Sequence, residues 1–205
     1  SAWYFNKKNV DIAILETGLG GRLDSVTACR GNMLLFTSIS MDHHEILGNS
    51  IKKIAYEKAF AIQSSTQTLL SVDQKPKVKS ILNQRAKIKK NKIQILQAQS
   101  YGLFKLKYLK GKHQIENANL AYLAIELLNK QNIINIKDKS IKNSFNKTRW
   151  DGRFQIIEKR PLVIYDVAHN KESLKSFLIT LIDYISNKTY KAKYLLCAFE
   201  KNKKI

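Results

Sequence analysis

Cysteine is scarce: Cys29 and Cys197 are the two in 205 residues, far apart and outside any CxxC spacing. That excludes a disulfide framework and offers no zinc pattern, so both are expected as free thiols. No run of about 18 apolar residues occurs, which excludes a membrane-spanning helix. The first residues lack the basic start and apolar stretch of a secretory signal, so the expected location is the cytoplasm. Acidic residues are also few, 16 Asp and Glu against 36 Lys and Arg, giving a formal charge of +20. Clustered positive charge attracts polyanions. Here, however, the lysines are spread among many Asn and Ile residues, with one local cluster at "RAKIKKNK", so a compositional bias is expected and no specific nucleic-acid partner. Internal repeats and low-complexity linkers are missing as well.

What is present is a globular composition, 44% hydrophobic, enough for one large domain or parts of two. The chain starts at Ser1 within an element-like segment and stops at Ile205 just after an apolar run, the pattern expected of a fragment. "VDIAIL" and "MLLFTSI" are short apolar runs of the kind buried on both faces of a parallel sheet, and "TLLSV" is a further predicted strand. Ile51, Ile54, Ala55 and Ile62 form one helical stripe, with Asn49 or Ser50 as N-cap. From Lys75 to Lys112 the expectation is one helix followed by short strands, and "IENANLAYLAIELL" is a buried helix. Near Trp150 a second pattern starts: "PLVIYDVAHN" as a strand, a helix carrying Leu174, Phe177, Leu178, Leu181, Ile182 and Ile185, and "YLLCAF" as a strand. This predicts a βαβ unit and an α/β fold in both halves, with a boundary near residues 146–152.

One loop stands out. "LETGLGGRLDS" places Glu16 at the end of an apolar run, before glycines 18, 20 and 21. Gly18 and Gly20 have the first spacing of a dinucleotide fingerprint, but Leu23 occupies the third glycine position, where close helix packing needs Gly. No Lys-Ser or Lys-Thr pair follows, so the loop is not a Walker A loop either. The glycines can serve φ > 0 in a tight turn. Lys58 lies between Ile54, Ala55 and Ile62 on the helical wheel, where an unpaired ammonium is costly. Burial there favours the neutral amine that reacts with CO₂; the alternative is a stem covering apolar surface while the amine reaches water.

"LETGLGGRLDS", "TSISMDHHEILG" and "IAYEKA", followed by "HQIENANLAYLA", "GRFQ" and "DVAHN", resemble in order and spacing the folylpolyglutamate synthase/dihydrofolate synthase family, ATP-dependent amide ligases of the Mur ligase superfamily. The resemblance implies an α/β fold: residues 1–148 as part of a P-loop-type central ATPase domain lacking its P-loop, and residues 149–205 as the start of a Rossmann-like C-terminal domain. It implies ATP and Mg²⁺ as cofactors, with Glu16, His43 and carbamylated Lys58 at the metal, and Lys58 and His43 as catalytic residues. Carboxylate oxygen suits Mg²⁺, and imidazole is a less common ligand for so hard a cation.

Asn117, Arg153, Asp166 and His169 match family positions that contact ATP. Arg153 offers a planar fork to phosphate oxygens, or else pairs with Glu158; Asn117 contacts nucleotide or merely sits in a helix. For Glu16 the alternative is a loop hydrogen bond, and for His43 a surface histidine beside His44. "SVT" after Asp24, Asp151 after Trp150, Phe60 after "EKA" and Lys171 after "AHN" depart from the family pattern.

The implied activity, in folate biosynthesis and one-carbon metabolism, joins L-glutamate to dihydropteroate or a folate through an acyl phosphate, in a monomeric enzyme. The fragment itself is expected to be inactive. Rival expectations are a Mur-type cell-wall amino-acid ligase and a non-catalytic basic module or gene remnant.

Overall fold

Three short apolar runs line up as a parallel sheet in the computed structural model, which describes residues 2–95 and 106–199. They are β1 (Met33–Phe36), β2 (Thr68–Ser71) and β3 (Ile93–Ile95), in that spatial order. Met33 stands opposite Thr68 and Phe36 opposite Ser71; Leu69 stands opposite Ile93. Parallel neighbours need a long crossover. Helices α4 (Ile51–Ala59) and α5 (Pro76–Ile88) provide the two crossovers, and the shorter α1 (Ala2–Lys7), α2 (Ser25–Ala28) and α3 (His44–Leu47) complete the helices of this unit, Ser1–Ile95.

Local chemistry sets the helix ends. The Ser50 hydroxyl accepts from the Lys53 N–H at 3.3 Å and starts α4. Pro76 opens α5, where a missing N–H costs nothing. Ile54, Ala55 and Ala59 of α4 and Val78, Leu82 and Ala86 of α5 are the helices' buried faces, meeting Leu69 of β2 together with Phe36, Ile39, Leu47 and Ile62. Each such Leu, Ile or Val contributes about 1.5–3 kcal/mol by leaving water.

The strand expected at Val10–Leu15 is not formed. The segment makes no ladder among the described residues, and Ile14 is 90% exposed. A strand is a paired state: its N–H and C=O groups need a neighbour, and an apolar run alone does not supply one.

The second unit, Leu96–Ile205, contains α6 (Lys112–Lys130), α7 (Asp138–Lys147), β4 (Gln155–Lys159), β5 (Leu162–Tyr165) and α8 (Lys171–Ile185). Tyr122 on α6 donates to Asp138 at the start of α7 at 3.0 Å, and burial together with that carboxylate pushes the phenol up to about 12. The Asn129 side chain both donates to and accepts from the Ile136 backbone at 2.9 Å.

Here too the expectation needs correction. β4 and β5 are an antiparallel pair, with an irregularity between Ile156 and Glu158, so no βαβ unit forms among the described residues of this second unit. "YLLCAF" is not a strand: Tyr194 is 94% and Leu196 98% exposed, again without a ladder partner. Ile182, expected on the inner stripe of α8, faces water. The buried helix expected over "IENANLAYLAIELL" does lie within α6, where it buries Ala118, Asn119, Leu120 and Ala124. Strands expected between β3 and Lys112 fall mainly on residues 96–105, outside the described residues. No described helix is long and apolar enough to cross a membrane. Both cysteines are free and exposed.

Candidate active-site residues

The glycine loop folds around Asp24 and docks onto the end of α4. Asp24 Oδ2 accepts the N–H groups of Gly18 (3.0 Å) and Leu19 (2.9 Å), while Oδ1 accepts that of Val26 (2.9 Å) and caps α2. The Leu19 N–H first, then those of Val26 and Gly18 and the Lys58 charge, hold this carboxyl below its ordinary range, against the effect of burial. Arg22 Nε donates to Glu57 of α4, 3.1 and 3.0 Å from its two carboxylate oxygens, and the Arg22 backbone N–H donates to the Glu57 carbonyl at 3.1 Å. Gly20 has φ +69°, with Leu47 beneath it, and Gly21 is pressed against the α4 backbone. The loop therefore serves as a close-packed clamp on the helix of Lys58.

Lys58 itself is half-buried beside Ile54, Ala55 and Ala59. Burial pulls its pKa down from the ordinary value, opposed by the charges of Asp42 and Asp24. The lysine in an apolar stripe was legible in the sequence; the two facing carboxylates were not. His43 is exposed, with its backbone left-handed (φ +49°), its N–H on Asp42 Oδ1 at 2.9 Å and its ring Nε2 3.9 Å from Asp42 Oδ2. Glu16 is exposed at the end of an extended stretch just before the glycine loop.

Among the described residues no three His, Cys, Asp or Glu side chains converge as a cation site. The donor chemistry does fit a hard divalent cation: Glu16 offers carboxylate oxygen, and a carbamate on Lys58 would add two more oxygens.

In the second unit, Asp166 ties two turns together. Its Oδ2 accepts the Phe154 N–H at 2.8 Å and its Oδ1 that of Ala168 at 2.9 Å, while Val167 N–H meets the Gly152 carbonyl at 2.9 Å. Phe154 is left-handed at φ +45°, strained for a bulky residue, and its buried ring lies 5.9 Å from Phe177 and 5.3 Å from Tyr184 of α8. Arg153 sits between these fixed neighbours, partly exposed. Glu158 makes no ion pair with it; its carboxylate accepts from Lys159 N–H (2.6 Å) and Arg160 N–H (3.4 Å).

His169 is exposed, with Nδ1 3.0 Å from the Val167 carbonyl, just ahead of the Asn170–Ser173 capping box of α8. Asn117 is exposed on α6. Sequence reasoning missed His113. This half-buried imidazole lies within the fields of Asp166 and Arg153; burial lowers its pKa, Asp166 opposes that and Arg153 adds to it. The one available signal was its place beside Gln114 in "HQIEN".

No protein-family model matches the chain. A curated relative, the dihydrofolate synthase/folylpolyglutamate synthase of Bacillus subtilis, is 34% identical over 199 residues, covering 87% of this chain. Over that length the chain is a homologue of the folylpolyglutamate synthase/dihydrofolate synthase family. It spans about half the length of the curated relatives it matches, 46% of the Bacillus protein. The folylpolyglutamate synthase of Mycobacterium tuberculosis complexed with ADP and AMPPCP is similar in structure, with TM-score 0.73 and 27% identity over 87% of this chain and 45% of that one. An FPGS–AMPPCP–folate complex has TM-score 0.81 at 22% identity, covering 90% of this chain and 50% of that one. The α/β expectation is borne out, and the chain shares the fold of these synthases.

Proposed function

We propose that the protein to which these residues belong is an ATP-dependent amide ligase that adds L-glutamate to a folate-type carboxylate. The observation that carries this is the 34% identity to a dihydrofolate synthase/folylpolyglutamate synthase across 87% of the chain. The half-buried Lys58, on a helix clamped by the glycine loop and in the field of Asp24 and Asp42, supports it.

In this chemistry an oxygen of the substrate carboxylate attacks the γ-phosphorus of ATP, the bond to the ADP oxygen breaks, and an acyl phosphate and ADP result. The glutamate amine, having lost a proton, then attacks the acyl carbon, and phosphate leaves as the amide forms. A free carboxylate is a poor electrophile, hence the activation. The protein contributes mainly position and charge.

Arg153 is suited to bind phosphate oxygens through its planar fork. Asp166 fixes the turn that carries it, using one lone pair of each oxygen on the Phe154 and Ala168 amides and leaving others for a ribose hydroxyl. Asn117 and His169 complete the ATP contacts in this reading. Mg²⁺, when bound, neutralises phosphate oxygens. Glu16, His43 and Lys58 would hold it, the last as a carbamate formed when the neutral amine adds to CO₂ and releases a proton. Lys58 and His43 are the catalytic residues of this proposal.

The division into a central ATPase part, residues 1–148, and the start of a C-terminal domain, 149–205, belongs to the same proposal, as do a cytoplasmic location and a monomeric state. Release of ADP by a full-length protein containing these residues, dependent on glutamate and on dihydropteroate or a folate, tests it. Release with neither acid overturns it.

A further inference from the structure

The parallel pairing of β1 and β2 runs as far as Phe36 opposite Ser71, and the Val72 N–H still reaches the Phe36 carbonyl at 3.1 Å. Beyond that point β2 has ended and the chain leads on to α5. A side chain then continues the ladder. Gln74 Oε1 accepts the Ile39 N–H at 3.1 Å, and Gln74 Nε2 donates to the Thr37 carbonyl at 2.8 Å. In a parallel ladder a residue donates to the carbonyl before its partner and accepts from the N–H after it. The Gln74 amide does both around Ser38, 35 residues away from Ile39 in sequence.

The amide is fully used. Its second hydrogen meets Ser71 Oγ at 3.1 Å, and that hydroxyl donates in turn to the Val72 carbonyl at 2.7 Å. Gln74, Ser71 and Ile39 are all buried. Ionised glutamate has no hydrogen for the Thr37 carbonyl, protonated glutamate has one where the amide has two, and methionine has neither donor nor acceptor of that strength, so the position favours a primary amide at this depth. The segment so held leads directly to Asp42, whose charge acts on Lys58, and to His43.

We infer that Gln74 is a positioning residue of the proposed ligase: its amide stands in for a strand residue beside Ser38 and fixes the segment that carries Asp42 and His43. The inference rests on the ligase reading. Gln74 acts through the backbone of residues 37–39 and touches no substrate.

The test uses the full-length protein as wild type, Gln74→Glu and Gln74→Met. Amide exchange at Ile39 is measured without ligands, and the Mg²⁺ concentration for half-maximal ligation is measured beside the KM for ATP. In both variants the Ile39 amide should exchange about tenfold faster or more, the change a lost buried hydrogen bond produces. The Mg²⁺ requirement should rise by about tenfold, while the KM for ATP at saturating Mg²⁺ changes by less than about twofold.

A freely exchanging Ile39 amide in the wild type overturns the clamp. Lost protection with an unchanged Mg²⁺ requirement overturns the positioning role alone. No ligation by the wild type overturns the ligase reading, and the positioning role with it. Should neither variant fold, Ser71→Ala removes the acceptor of the second amide hydrogen together with the donor to the Val72 carbonyl; it should shift both readouts in the same direction by about threefold, and no shift in either overturns the inference.

Discussion

Gly21 lies against the backbone of Lys58: a Cβ placed on it would stand 2.9 Å from the Lys58 carbonyl oxygen and 3.0 Å from both the Ala61 nitrogen and the Glu57 carbonyl oxygen. Those atoms belong to a helix end and cannot swing aside as a side chain would. Gly21→Ala should therefore lower stability by about 1–3 kcal/mol, the usual range for overpacking, with the glycine loop lifted from α4. Urea unfolding measures it, and a loss below about 0.5 kcal/mol would show that the contact yields freely.

Lys58 makes stability depend on pH in a defined direction. Its folded-state pKa lies below the ordinary 10.5, because burial disfavours the ammonium. Between the two values the unfolded chain binds more protons, so stability rises with pH through that window and falls back as pH drops through the folded-state pKa. In CO₂-free buffer, Lys58→Met should stabilise the protein at neutral pH, and the gain should shrink as pH approaches 10.5. Thermal unfolding across pH 7 to about 10.5 checks this. A gain that stays constant with pH would mean that the lost charge is not its source.

Arg153 and His169 should matter for nucleotide use. Hydrogen bonds to charged groups contribute about 1.5–3 kcal/mol, so Arg153→Ala should raise the KM for ATP at least about tenfold in the full-length protein. Arg153→Lys should restore little of it, since a point charge does not replace a fork. His169→Ala should also impair ATP use. Steady-state kinetics at varied ATP decides; unchanged KM and kcat in both alanine variants would exclude Arg153 and His169 from nucleotide binding.

How much was legible follows from how local each signal is. β1, β2, α4 and α5 announce themselves through apolar spacing and caps within a few residues, and Lys58 shows its inward position on the same helical wheel. Gly20 does need a positive φ, as a tight loop suggests, whereas Gly21 is required for lack of space, which appears only once α4 is in place. Val10–Leu15 has the composition of a strand, yet pairing belongs to two segments and cannot be read from one. The same holds for β5, read as the first strand of a βαβ unit: its partner is β4, a segment in which no strand was expected. Asp42, Gln74 and His113 escaped because Lys58, residues 37–39 and Asp166 are distant from them in the chain, and Asp24, though its hydrogen-bond partners are local, joined them because a lone Asp, Gln or His gives no periodic signal. Arg153 and Asp166 were found by motif, but the left-handed Phe154 that separates Arg153 from Asp166's hydrogen bond was not.

The central claim is that these residues serve amide-bond formation at the expense of ATP. It is tested most directly by measuring ADP release and glutamate-containing amide together in the full-length protein, for wild type, Lys58→Met and Lys58→Ala. Wild type should release ADP and form amide in equal amounts, and both variants should lose kcat by about a hundredfold or more, as expected when charge stabilisation at transferring phosphate is removed. Acetate or formate should partly restore Lys58→Ala by placing a carboxylate in the vacated space. Near-normal ligation by Lys58→Met would contradict the role of a carbamate on Lys58, and salt-sensitive binding to random nucleic acid without any glutamate-dependent ADP release would contradict the ligase itself.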